Sequence, residues 1–376
     1  MGRSMRISLV QMHVDAGSPD ENFARAAERM ERAAADKPDL IVLPEMWNTG
    51  YALEVIDAIA DPAGERTRAF AAEFCRRHGV NVIAGSIAER REDGVYNTLR
   101  IFGRGGPDVL SGGRGDDLLD GGPGNDLLDG GAGSDRLLGA SGDDRLVGGR
   151  GPDRASGGPG NDRIDGNTAP DRLSGGEGRD VISGDEGADR IDGGSGDDTL
   201  SGDTAGDTIT GGSGDDTMSG GSGDDRIDGG RGDDVAAGGF GHDRIAGGDG
   251  ADRLSGDEAL DELRGGAGDD TLDGGSGDDI VDGGPGNDRV AGGSGPDVLV
   301  GGEGDDVLEA NDGGRDERID CGPGNDTLLI DRRREPGGAS DLQLIREGKV
   351  TGCETIREAD AGPRDPAMGM VFLSDD

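Results

Sequence analysis

The sequence predicts a mainly β chain: a right-handed parallel β-roll, a solenoid, over residues 103–309. An incomplete α/β segment precedes it over 1–102, and a cap and tail follow over 310–376. Three observations carry this division. Asp recurs every nine residues from Asp108 to Asp306 with no insertion or deletion. Two positions after each of these aspartates stands an aliphatic residue or Met, with Ala only at Ala155 and Ala236. Seven of the nine aromatic residues fall before residue 103, where the period has not begun.

The first hundred residues alternate apolar runs with amphipathic ones. RISLVQMHV (6–14) reads as a strand and Asp20–Ala35 as a helix with Phe23, Ala26, Ala27 and Met30 at helical spacing. DLIVLPEM (39–46) reads as a buried strand. Glu65–His78 is a second helix stopped by Gly79, and Val80–Ala88 and Tyr96–Phe102 are further strands. Alternation of this kind implies an α/β layer, and about a hundred residues are few for a complete one.

In the repeat, the full hexad Gly-Gly-x-Gly-x-Asp fills 17 of the 23 registers. The glycines permit backbone angles that a Cβ forbids, so the hexad is a tight turn. The next three residues form a very short strand with its middle, apolar member inward. Two nine-residue units then make one coil, and coils stack by parallel ladder pairing. Residues 310–376 break the period. Asp320–Asp326 is a degenerate extra repeat, and DLQLIREGKVTGCETI (341–356) reads as one or two closing strands.

Composition restricts the function. The formal net charge is −42, from 80 acidic and 38 basic residues. Nucleic acid needs a basic footprint, and anionic membrane surfaces repel such a chain. No apolar run is long enough for a membrane span. With 79 glycines and little apolar surface, the chain would stay unfolded unless something other than a large core held it.

Stacked coils place Asp over Asp along each edge, and aligned carboxylates repel. A hard divalent cation removes that repulsion, taking oxygen ligands from carboxylates and turn carbonyls. Calcium suits many irregular oxygen ligands better than magnesium does. Transition metals would want His or Cys, and the repeat offers only His242.

The nonapeptide resembles the RTX, or hemolysin-type, calcium-binding repeat, Gly-Gly-x-Gly-x-Asp-x-U-x with U apolar. That resemblance implies Ca2+ as the bound ion. It assigns a ligand role to the Asp of each full hexad: Asp117, Asp126, Asp135, Asp153, Asp162, Asp180, Asp198, Asp216, Asp225, Asp234, Asp243, Asp252, Asp270, Asp279, Asp288, Asp297 and Asp306. Folding coupled to calcium binding is the further expectation.

Six registers depart from the hexad, those ending at Asp108, Asp144, Asp171, Asp189, Asp207 and Asp261. The last four read GNTAPD, GDEGAD, GDTAGD and GDEALD and are offset by multiples of 18. Asn or Asp at the second position tolerates a left-handed conformation. Either these turns hold altered calcium sites or they have simply drifted.

The segment 5–102, with LPEMWNTGY and then VIAGSIAER and VYNTLRIF, resembles the opening of the nitrilase, or carbon–nitrogen hydrolase, superfamily. Members use a Glu, Lys and Cys triad. Glu45 matches the Glu, but the repeats begin where the Lys and Cys belong. The chain has only Lys37 and Lys349, and Cys75 lies mid-helix. The expectation is therefore no enzyme. The alternative is a carbon–nitrogen hydrolase remnant, inactive alone and needing another chain to complete it.

Cys321 and Cys353 either form a disulfide or stay as two buried thiols. The CGPGND…TGCETI pairing resembles the ends of secreted bacterial repeat proteins and implies the disulfide. The expected location is extracellular, secreted or cell-surface, because extracellular modules bind calcium at the levels found there. No N-terminal signal peptide is visible in MGRSMRISLVQMHVD, and a cytoplasmic location is the alternative.

Overall fold

The structure, a computed structural model, describes residues 6–44, 61–62, 65–91, 94–102, 106–310, 316–331 and 341–359. The chain divides into two compact units, Met1–Gly221 and Ser222–Asp376.

The first unit opens with the α/β segment. Strand β1 (Ile7–Leu9) pairs in parallel with β2 (Leu40–Val42), and β2 pairs in parallel with β4 (Asn81–Arg91). The two-residue β3 (Asp61–Pro62) joins β4 near the far end of that strand. Helix α1 (Pro19–Ala34) starts with Pro at its first turn, followed by Asp20 and Glu21, and carries Arg32 in its last turn. Each charge sits at the helix end that favours it. Helix α2 (Glu65–His78) ends in Arg76, Arg77 and His78. Gly79, at φ +61°, follows and donates its N–H to the Cys75 carbonyl at 2.8 Å. Phe23, Ala26 and Met30 of α1 pack with Ile41, Phe74, Cys75 and Val82 into one apolar core.

Both early strands are shorter than the sequence suggests. After Val10, whose N–H still reaches the Val42 carbonyl, the chain turns toward α1. There the Asn22 side chain clasps the Asp15 backbone with two 2.8 Å bonds, a polar anchor that no apolar pattern reveals.

Strand β5 (Gly94–Phe102) returns antiparallel to β4. Its other edge then pairs in parallel with the repeat strand Leu118–Pro123, matching Ile101 to Leu119. The sheet of the incomplete α/β segment thus continues into one face of the roll, and the β5 edge is covered.

Within the roll of the first unit, each strand pairs with the strand 18 residues on. Leu146 lies opposite Ile164 on one face, and Ala155 opposite Leu173 on the other. Most strands run six residues, as in Arg145–Arg150, and not the three expected. The ladder continues through the hexad's first three residues, pairing Gly149 with Asn167 and Arg150 with Thr168. Glycine at the second position, such as Gly149 at φ +108°, bends the strand without ending it. The core is a file of single side chains, one per register. Leu128, Leu137, Leu146 and Ile164 are wholly buried.

The second unit repeats this plan and closes it. Val298–Glu303 pairs with Arg318–Asp320, which pairs with Val350–Thr351. On the other face Val307–Ala310, Thr327–Asp331 and Thr355–Ala359 follow in order. Two closing strands are present, but Asp341–Glu347, expected as part of them, is a helix, α3. Leu344 of this helix is fully buried. Gly348, at φ +69°, ends it, with its N–H on Ile345 and the Lys349 N–H on Leu344. A helical turn buries Leu344 and returns the chain to the sheet, which a strand could not do in so few residues.

Candidate metal centre

Each coil turn buries one carboxylate and uses half of it. The backbone N–H of Asp117 donates to Oδ1 of Asp135 at 2.7 Å, and that of Asp126 to Oδ1 of Asp144 at 2.7 Å. In the second unit Asp270 donates to Asp288, and Asp279 to Asp297, each at 2.8 Å. Each of these acceptors lies 18 residues on, so each edge carries a ladder of carboxylates threaded by amides.

The other oxygen, Oδ2, is buried without a hydrogen-bond partner. This holds at Asp117, Asp126, Asp135, Asp153, Asp162, Asp180 and Asp198 in the first unit. It holds at Asp243, Asp252, Asp270, Asp279, Asp288 and Asp306 in the second. None of these residues is more than 4% exposed. Asp216, Asp225, Asp234 and Asp297 occupy the same register, equally buried and equally placed as ladder acceptors or donors. A charged oxygen left dry and unpaired costs several kcal/mol, of order 3–5. Repeated along both edges, it is relieved by a bound cation or by protonation.

The first glycine of the hexad shows where that charge fits. A Cβ added at Gly112 would lie 2.6 Å from Oδ2 of Asp117 and 2.7 Å from the Gly130 carbonyl oxygen. At Gly148 it would lie 2.6 Å from Oδ2 of Asp153 and 2.8 Å from the Gly166 oxygen. At Gly283 the same two partners, Asp288 and Gly301, lie at 2.6 and 2.5 Å. A carboxylate oxygen and a carbonyl oxygen of the next coil thus flank a space kept open by the missing side chain. Among the described residues no three His, Cys, Asp or Glu side chains converge on one point. A site here is one carboxylate plus main-chain carbonyls, a donor set of oxygens alone that fits a hard cation such as Ca2+.

Burial pushes these carboxyls up, with neighbouring carboxylates adding to the effect. Asp117 and Asp126 rise to about 6, Asp144 and Asp153 to about 7, and Asp171 and Asp261 to about 8.

The hexad rule missed several equivalent residues. Asp144, Asp171, Asp189 and Asp261, from degenerate turns, keep the buried, unpartnered Oδ2. The signal was present, since Asp holds the sixth position in every register. Asp326 also keeps it, in the degenerate repeat. Its N–H donates at 2.9 Å to Oε2 of Glu354, which replaces the Asp of a further coil. Nothing in the period points to Glu354. Beside it, Cys353 is joined to Cys321 in a disulfide.

Glu45 lies outside the described residues. Cys75 is wholly buried in the α/β core, and burial raises its thiol to about 12, the reverse of what a nucleophile needs. Lys37 is exposed in the turn after α1. Lys349 belongs to the other unit, in the C-terminal cap.

These are the features of a parallel β-solenoid repeat protein with oxygen-lined turns. The chain belongs to the RTX calcium-binding nonapeptide repeat family, whose model matches it in successive segments from residue 102 to residue 328. A second family model, carbon–nitrogen hydrolase, matches residues 6–113. There the chain is similar to a 2-oxoglutaramate amidase of Bacillus subtilis, 38% identical over 95 residues, covering 25% of this chain and 36% of that protein. It is also similar to a nitrilase of Pyrococcus abyssi, 32% identical and covering 26% and 39% of the two chains. A solved carbon–nitrogen hydrolase superfamily protein of Xanthomonas campestris is 31% identical, with 27% and 38% covered and a TM-score of 0.25. The chain spans little more than a third of the length of these hydrolases.

Proposed function

We propose that this is a calcium-binding repeat protein whose nonapeptide region folds as calcium binds, acting outside the cell, secreted or on its surface. The hexad aspartates supply Oδ2, and the first-glycine carbonyl of the neighbouring coil supplies a second oxygen. The observation that carries this reading is the file of buried carboxylate oxygens without partners, most of them beside a carbonyl across a space that glycine leaves open. Without a cation, the repulsion between stacked carboxylates and the entropy of the glycines oppose folding. With one, each ion links two successive coils. The extracellular location rests on the family and on the calcium levels such modules meet there.

The N-terminal segment is a carbon–nitrogen hydrolase fragment without activity of its own. Support comes from the buried Cys75 and from the third of a hydrolase that it spans.

Calcium titration of the full chain by circular dichroism, with magnesium as control, tests the main reading. A cooperative gain of strand signal with calcium alone is expected, and equal signal with calcium and with chelator would overturn it. Hydrolysis of 2-oxoglutaramate by the chain alone would overturn the second statement.

A further inference from the structure

We propose that the degenerate turns 166–171, 184–189 and 202–207 form a second class of cation sites, tighter than the full-hexad turns. In them, Asp185 and Asp203 add negative charge beside the buried carboxylates. The proposal rests on the calcium reading above and divides its sites in two.

The cradle survives in these turns. A Cβ at Gly166 would lie 2.6 Å from Oδ2 of Asp171 and 2.9 Å from the Gly184 oxygen. One at Gly184 would meet Oδ2 of Asp189 and lie 3.0 Å from the Gly202 oxygen. The amide ladder is also intact. Asp153 donates to Asp171, Asp171 to Asp189, and Asp189 to Asp207, each at 2.7 Å. Asp171 and Asp189 are 2% and 3% exposed, and Oδ2 of each lacks a partner. Loss of the hexad has not removed the site.

What changes is the second position, where glycine becomes Asn167, Asp185 and Asp203 at φ +73°, +67° and +69°. Asn and Asp enter that left-handed region more readily than other residues with a side chain. The backbone path is kept and two carboxylates are gained. Both are half-buried and fixed in place. Ser183 Oγ lies 2.9 Å from Oδ1 of Asp185 and 2.7 Å from Oδ2 of Asp203. Ser201 Oγ donates to Oδ1 of Asp203 at 2.9 Å, and Asn167 Nδ2 to Oδ2 of Asp185 at 3.0 Å.

These carboxylates act through their field on the neighbouring cradle, without serving as ligands. Asp185 is among the like charges that act on Asp171, and Asp185 and Asp203 are among those that act on Asp189. In the other unit, Asp257 at φ +73° holds the second position of its turn and is among the like charges that act on Asp261. Turn 139–144 supplies the contrast. Its second residue, Ala140 at φ +79°, gives the same backbone without added charge. It belongs with the ordinary sites.

The test is calorimetric calcium titration of the full chain at low ionic strength, wild type against Asp185→Asn with Asp203→Asn. Asn167 already shows that Asn suits this conformation. Two affinity classes are expected in the wild type. In the variant the sites of these three turns weaken roughly tenfold and join the ordinary class, with the Asp257 turn unaffected and the total number of ions unchanged. Added salt should narrow the gap between the two proteins. A single class in the wild type, or an unchanged tight class in the variant, overturns the proposal while calcium binding stands. Absence of calcium binding by either protein overturns both readings.

Discussion

The α/β segment and the roll solve the problem of folding in opposite ways. The segment gathers Phe23, Met30, Ile41 and Phe74 into one core, so contacts between distant residues hold it. The roll gives most of its nine-residue units a single buried apolar side chain and a single buried carboxylate. Its apolar core is one side chain thick, and its electrostatics are unfavourable until a cation arrives. The first should fold in plain buffer and the second should not. Removal of calcium should therefore abolish most strand signal while leaving helices α1 and α2.

Protons offer the sharpest way to break that contrast. The carboxyls of Asp144, Asp171 and Asp261 are raised in the folded roll to about 7, 8 and 8, while in the unfolded chain each is an ordinary aspartate. A group raised by folding stabilises the fold when it is protonated, and that contribution is lost as pH rises through the folded value. In chelator, strand content should grow as the pH falls from about 8 toward 5. The usual acid denaturation runs the other way. Calcium should bind more weakly over the same range, because protons and the ion compete for one oxygen. Circular dichroism at fixed chelator across that range checks the sign, and a loss of strand on acidification would break the comparison.

A core mutation sharpens it from the other side. Met30 is fully buried, and Met30→Ala should destabilise the α/β segment by about 2–5 kcal/mol. Thermal melting of the helical signal should fall while the calcium midpoint of the roll stays put. A joint shift of both would mean that the pairing of β5 with Leu118–Pro123 makes them one cooperative body.

Legibility in the sequence followed the same division. The roll could be read almost position by position, because a nine-residue period fixes turn, strand and inward side chain together. Glycine itself hid the strand length, since Gly149 reads as a turn residue yet sits in the ladder at φ +108°. The regularity also misled, since requiring the full hexad set aside Asp144, Asp171 and Asp189, whose geometry is unchanged. In the α/β segment the elements were visible and their limits were not. The Asn22–Asp15 anchor beside the end of β1 is a polar contact with no periodic trace. The cap was least legible. Asp341–Glu347 is helical because Leu344 finds a buried place beside the roll's end, which local pattern does not encode.

The smallest expected effect lies at that end, where the repeat borrows from outside itself. The carbonyl at the Asp306 cradle comes from Cys321, which stands where other turns have their first glycine. The Asp326 N–H, which in the period would meet another Asp, meets Glu354 instead. The Cys321–Cys353 disulfide holds both substitutes, one beside each partner. Glu354→Ala removes the acceptor and should cost about 1 kcal/mol, because the side chain is exposed and water replaces part of the bond. Hydrogen exchange should quicken at the Asp326 amide, with little change at Asp288 or Asp270 further from the end. Glu354→Gln keeps an acceptor oxygen and should restore most of the protection. If both variants leave the Asp326 amide as slow as before, the bond from Glu354 adds nothing to the protection of that turn. The covalent bridge alone would then close the roll, and the carboxylate ladder would end one turn earlier, at Asp326, which accepts the Asp306 N–H at 2.9 Å.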